Sequence, residues 1–244
     1  MPEHELWLTA LFNRYLAGVA NSILALFNLK AQDPAHPWPN WMAMELFVVA
    51  IIILLTLILR ARLSVEHPGK LQHLFEEMYL FIKSQAKDVG IEHPEKYSAY
   101  FGTLFVFILL MNLLGIIPSF AAPTMYIYVT AGLALATFAY YNFQGILANG
   151  FGYLKQFLGP VWWLAPLMIL IEIVSHLARP LSLSVRLFGN MFAGEQVTTV
   201  FIALTRVVVP VAFMALHVFV CFIQTYVFTL LAMIYVSGAT SHEH

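Results

Sequence analysis

Charge is what this sequence has least of. Asp, Glu, Lys and Arg make up only 10% of its 244 residues while 61% are hydrophobic; an ordinary soluble domain carries about 25% charged residues. A chain so poor in charge has little with which to stay in water, and the composition points to a membrane protein of several spans. The twelve basic and thirteen acidic residues nearly cancel, at a net charge of −1, so nothing proposes a nucleic-acid partner. One cysteine, Cys221, lies in an apolar run. It rules out an internal disulfide and a cysteine metal cluster and reads as packing. The opening MPEHELWLTALF lacks the basic start of a secretory signal, and no small-residue cleavage site follows, so the tail is expected to be retained. No phosphate-cradling glycine motif or activated nucleophile is present. His4, His67, His73, His242 and His244 show no ligand spacing. Neither an enzyme active site, nor a cofactor, nor a metal is expected.

What is present is a series of apolar segments. Residues 1–40 read as an external tail. Within it Leu8, Leu11, Phe12, Tyr15, Leu16, Val19, Ile23, Leu26 and Phe27 recur at helical spacing, with Arg14, Asn21 and Asn28 on the other side, which suits a helix lying in the membrane interface. The linker DPAHPWPN then breaks any helix with three prolines. A first crossing is expected over 41–62, closed by Arg60 and Arg62, since about 20 apolar residues span a bilayer. The stretch 64–96 carries Lys70, Lys83, Lys87 and Lys96, the densest basic region with those arginines. By the positive-inside rule it is cytoplasmic and the N-terminus is outside. Leu71, Leu74, Phe75, Met78, Ile82 and Val89 mark one face of an amphipathic helix there. No charged residue occurs from Tyr97 through Leu154, room for crossings at 97–118 and 124–148 that divide at IIPSFAAPT. Asn142, Gln144, Asn149, Gly150 and Gly152 then read as a polar exit toward the cytoplasm near Lys155.

After Pro160 the apolar character resumes, with a turn expected at 204–210 where Arg206 and Pro210 stand. The fourth and fifth crossings are expected over 160–203 and 208–237. A segment of more than about 30 residues extends ~45 Å against a hydrocarbon core of ~30 Å, so the helices must tilt, bend or protrude. Five crossings place the C-terminal tail in the cytoplasm. The fold class is therefore an all-α integral membrane protein, with five membrane-crossing helices plus amphipathic surface helices.

The fourth segment carries an unusual stripe. At 100° per residue, Glu172, Ser175, Arg179, Ser182, Arg186 and Asn190 fall within about 40° of the direction of Arg186. For the serines, a hydrogen-bonded seam between helices is as good a reading as a functional one. For Arg186 it is weaker, because no acid lies one turn away and an arginine at the bilayer centre costs roughly 3 kcal/mol or more. Arginine stays protonated at any accessible pH, so it suits attracting a carboxylate that arrives charged, or blocking a proton. Glu195 faces the opposite way on the wheel. In the fifth segment His217 and Gln224 are seven residues apart and share a face; a packed histidine and a proton relay with Glu195 both remain open.

These residues carry a resemblance. SLSVRLFGNMFAGE, LHVFVCFIQTYVF and IYVSGATSHEH resemble subunit a of the membrane sector of bacterial F-type rotary ATP synthases, and the order of the preceding segments extends the resemblance over nearly the whole chain. The resemblance implies a stator in the bacterial cytoplasmic (inner) membrane that holds two offset half-channels against a rotating ring of c subunits. The last two crossings would form a long, steeply tilted hairpin around that ring, with the b-subunit peripheral stalk and the remaining synthase subunits as partners. It implies that Arg186 meets the c-ring carboxylate. Glu195, His217 and Gln224 match polar positions of the outside-facing half-channel and helix contact; Glu172, Ser182 and Asn190 match positions near the arginine or the cytoplasmic path. Two departures stand out. Asn112 matches, but Gly115 stands where many bacterial members carry an acid, and His176 is an extra titratable candidate for the cytoplasmic half-channel. The rival reading from another class is an autonomous secondary transporter binding an anionic substrate at Arg186, which predicts internal repeats; none is present. A purely structural scaffold is the third.

Overall fold

The computed structural model describes residues 5–26, 33–64, 67–117, 120–150, 165–204 and 208–240. These form seven α-helices and no strand among the described residues: α1 (Trp7–Leu26), α2 (Asn40–Ala61), α3 (Lys70–Asp88), α4 (Pro94–Leu114), α5 (Ile127–Asn149), α6 (Ala165–Leu204) and α7 (Val208–Thr240). A short 3-10 turn, Pro123–Met125, precedes α5.

Local chemistry sets the helix ends. The proline linker holds Pro39 extended, and α2 starts directly after it. Pro94 opens α4, a position where the missing N–H costs nothing. The helix therefore starts three residues before the charge-free stretch does. Glu95 in its first turn suits the positive end of the helix dipole and pairs with Lys83 of α3 at 2.7 Å. α5 ends at Gly150, whose φ of +54° is a conformation that favours glycine. Asn142, Gln144 and Asn149, expected as a polar exit, are thus still helical, because amide side chains alone do not stop a helix. Gly152, Lys155 and Pro160 lie outside the described residues, as do residues 205–207 of the expected last turn.

Four helices are long and apolar enough to cross a membrane: Asn40–Ala61, Pro94–Leu114, Leu167–Ile202 within α6 and Val211–Thr240 within α7. With no sheet beside them, the chain is an all-helical, multi-pass membrane protein. α5 is not among the four. Its 23 residues reach about 34 Å at 1.5 Å each, but tyrosines, threonines and amides dilute its apolar character.

The core forms where α4 and α7 meet α3, α5 and α6, around Phe101, Ile108, Met111, Tyr141, Leu187, Met191, Phe228 and Met233. α6 contributes a narrow strip at a spacing of four, Leu183, Leu187 and Met191, each at most 2% exposed, whereas Leu177 and Leu181 on other faces are 60% and 67% exposed. It is an outer helix with a wide apolar surface still uncovered. It runs antiparallel to α5, with Thr130 beside Ser184 and Tyr141 beside His176. It also runs antiparallel to α7, since Phe201 stacks on Phe213, Asn190 bonds Gln224 and Arg179 covers Tyr235. These pairs step evenly in opposite directions, so the last two helices form one continuous hairpin.

The two amphipathic segments behave differently from each other. In α1 the stripe residues Leu11, Tyr15, Leu16 and Val19 are exposed, while Asn13 is buried. Asn13 accepts from the Trp38 N–H at 2.9 Å and donates to Glu5 at 2.6 Å. Asn13 and Asn21 are turned to the proline linker, while Arg14 and the apolar residues named face outward. Phe27 and Asn28 lie outside the described residues. In α3 the expected face divides: Ile82 is buried, but Leu71 and Leu74 are exposed. Only the C-terminal half of α3 is tied to α7, by Tyr226 donating to Gln85 at 2.7 Å and Ser237 to the Val89 carbonyl at 3.0 Å.

Candidate functional site

Arg186 stands near the middle of α6, and its side chain is exposed on the molecule's surface, as are Ser175, Ser182 and Asn190 from the same stripe. The strip that α6 does bury, Leu183, Leu187 and Met191, lies to one side of them. Arg186 has no hydrogen-bond or ion-pair partner among the described residues. The seam reading of the stripe therefore fails for Arg186: a helix-to-helix seam would bury it. Its neighbours are less free. Asn190 donates to Gln224 Oε1 of α7 at 2.6 Å, and Gln224 is buried. Two turns on the other side, Arg179 lies 3.9 Å from Glu172 and places its guanidinium 5.4 Å from the centre of the Tyr235 ring.

His217 packs against α6 at Gly194, the residue before Glu195. Glu195 is half-buried and His217 is 7% exposed. Gly194 permits the approach: a Cβ built there would overlap the His217 imidazole, so the ring occupies the space a side chain would take. No hydrogen bond joins His217 to Glu195 among the described residues. The wheel marked Glu195 but passed over Gly194. Its only signal in the sequence was its place beside an intramembrane acid, opposite a histidine on the next helix.

His176 lies in a second, tighter cluster. It is 8% exposed, with Nε2 2.8 Å from Asn142 Oδ1 and 3.2 Å from the Tyr141 hydroxyl. Both partners come from α5. Asn112, the matching residue before the departure at Gly115, is fully buried. It accepts from Thr124 at 2.7 Å and donates to Thr225 of α7 at 3.2 Å, tying the 3-10 turn to α4 and α7. At Gly115 an added Cβ would stand 2.8 Å from the Ala122 Cβ. The glycine is there because the returning chain passes too close for an acid. Cys221 packs in the core with its thiol toward the Asn112 carbonyl at 3.6 Å. Sequence reasoning also missed Glu45, half-buried on α2 within a run read as apolar; one carboxylate does not interrupt such a run. No group of three or more possible metal ligands occurs among the described residues.

An outward, unpartnered arginine on a long membrane helix needs a partner from elsewhere, and the comparison with known proteins supplies its setting. The model of the ATP synthase A chain family matches residues 42–237. The chain belongs to this family. It is 54% identical, over 96% of its length and all of the relative, to ATP synthase subunit a of Solibacter usitatus. It is 46% identical to ATP synthase subunit a of Koribacter versatilis over 99% of both chains, and 38% identical to that of Trichlorobacter lovleyi over 96% and 98%. As a member of the ATP synthase A chain family it is a non-catalytic membrane subunit of the proton-translocating synthase and works with that complex's other subunits. Membership decides between a subunit and an autonomous transporter in favour of the subunit.

Proposed function

We propose that this chain is the stator surface on which a ring of c subunits turns, that Arg186 meets each ring carboxylate in passing, and that two offset half-channels deliver and remove the proton. The observation that carries this reading is Arg186 at the middle of α6, exposed and without a partner among the described residues. At ~4 Å and an effective dielectric near 20 an arginine attracts a carboxylate by about 4 kcal/mol, before the cost of desolvating both. That is enough to hold the arriving acid ionised and small enough to release it. Because the guanidinium does not give up its proton, it separates the two half-channels.

Protons enter from the outside past Glu195 and His217, with Gln224 and Asn190 linking that path to the arginine. They leave toward the cytoplasm along the Glu172, Ser182 and His176 side. α5 is the third of five crossings, entering near 124 and leaving near 148, between crossings at 41–62, 97–118, 160–203 and 208–237. The first 40 residues lie outside, 64–96 lies on the cytoplasmic surface, and the C-terminus is cytoplasmic. The hairpin of α6 and α7 tilts steeply in the bacterial cytoplasmic membrane, since 40 residues at 1.5 Å would extend about 60 Å. The peripheral stalk of b subunits holds the chain against the ring's torque. The test is Arg186→Ala in the assembled synthase: ATP-driven proton pumping is abolished while ATP hydrolysis persists. Undiminished pumping overturns the assignment.

A further inference from the structure

The exit side contains a histidine whose surroundings fix its chemistry. Asn142 Nδ2 donates to the Phe138 carbonyl at 2.7 Å, which orients the amide so that Oδ1 faces His176. Oδ1 can only accept, so the His176 nitrogen 2.8 Å away, Nε2, carries the hydrogen. Nδ1 then holds the lone pair and is the atom that can take a second proton. The ring is held in place by edge contacts to Phe138 and Tyr141, each 5.3 Å between centres. At position 180, α6 carries a proline, which cannot donate to the carbonyl four residues earlier; that carbonyl belongs to His176.

Among the described residues, charged and titratable groups face it from three helices. On α6, Glu172 and Arg179 lie one turn to either side and pair with each other at 3.9 Å, so their charges largely offset at His176. From α5 comes the Tyr141 hydroxyl, and from α7 comes Tyr235, whose ring lies 5.8 Å from that of Tyr141. Asn142 and Tyr235 both stand in the last turns of their helices, and Asn149 Nδ2 closes that end by donating to the Ala239 carbonyl at 3.0 Å. The cluster therefore sits between Arg186 and the end of the bundle where α5 and α7 terminate together.

We infer that His176 is a proton-relay residue of the exit path, with Asn142 as the positioning residue that fixes its tautomer. This rests on the stator reading above and assigns that path its titratable group. A proton released beside Arg186 adds to Nδ1 to give the imidazolium, while Nε2–H stays donated to Asn142. Nδ1 is enclosed by the protein, so the same proton leaves it when water reaches the ring from the cytoplasmic end, and the neutral tautomer is restored.

The test uses the complete synthase in liposomes with the pH of each side set separately. In His176→Gln the amide can still donate to Asn142 but cannot titrate. Proton flux falls about tenfold, less than the ~100-fold of a lone acid–base group because water remains a slower route. The flux also loses its dependence on cytoplasmic-side pH, while its response to outside pH is kept. Asn142→Ala, which frees the tautomer without removing the imidazole, lowers flux less and keeps the cytoplasmic pH response. Wild-type flux in His176→Gln overturns the inference. So does reduced flux with the cytoplasmic pH response intact, which would mark His176 as packing. Should His176→Gln fail to assemble, Asn142→Ala decides: flux unchanged from wild type overturns the inference. Pumping by Arg186→Ala would instead overturn the stator reading, whatever His176 does.

Discussion

The two polar clusters of the α6–α7 hairpin are built on opposite principles. Around His176, side chains reach one another directly: Asn142 and Tyr141 lie within hydrogen-bonding distance of the ring, and Glu172 and Arg179, one turn to either side along the helix, pair with each other. Around His217, the fit comes from what is missing. Gly194 leaves the imidazole its space, and the Glu195 carboxyl has no partner among the described residues. The difference teaches how a membrane helix can hold titratable groups. One cluster is kept in a fixed geometry by hydrogen bonds, and the other is set by the close approach of a ring to a glycine backbone.

That contrast can be broken most severely at Gly194. In Gly194→Ala the new methyl and the His217 ring claim the same space, and forcing such an overlap costs about 1–3 kcal/mol. Coupled proton flux should fall by more than tenfold, measured as ATP-driven acidification of vesicles. Adding His217→Gly should restore helix packing, read as recovery of complex assembly and thermal stability. Loss without any such recovery would show that the close approach does not set this cluster.

A smaller effect is expected where a second glycine permits a close approach. In Gly115→Asp the added Cβ meets Ala122. The turn after α4 must shift, straining the Thr124 to Asn112 bond at a cost of about 1–3 kcal/mol. Lower thermal stability of the detergent-solubilised complex, relieved by Ala122→Gly, is the expected outcome. An unchanged melting temperature would mean that an acid fits here after all.

The smallest effect belongs to the external surface, where hydrogen bonding again sets the geometry. The Asn13 amide, and next to it His36, hold the Glu5 carboxyl below the usual carboxylate range, although its partial burial opposes them. A depressed value in the folded state means the contact stabilises above the unfolded value and is lost as pH falls through the folded one. The docking of α1 on the proline linker should therefore loosen as pH drops below about 4.5. Protection of the Trp38 amide from hydrogen exchange, relative to its intrinsic rate, should fall there, since Asn13 holds it, and should be low at every pH in Asn13→Ala.

Much of this was legible in residue order. The long apolar runs, the prolines at 34, 37 and 39, and the polar stripe of α6 depend on composition and on the 100° helical step, both local properties. Arg186 announced itself by cost alone. The 3-10 turn and the division of α3 into a docked half and a free half were not legible, because both follow from which neighbour a surface meets. Glu45 was hidden by the apolar run around it, and α5 proved more polar than a typical membrane span although it contains no charge.

By itself, then, the sequence determined the helices, the stripe and the half-turn that sets Glu195 opposite Arg186, since helical geometry alone fixes those directions. Only the tertiary structure decided which direction faces what. It turned Arg186 outward and left it without a partner among the described residues. It buried His217 and Gln224, placed His176 on Asn142, and let Gly194 and Gly115 serve as contact points. The physical reason is that burial and hydrogen bonding belong to pairs of surfaces, and a pair such as Asn142 and His176 is made by two helices that the chain order does not register against each other.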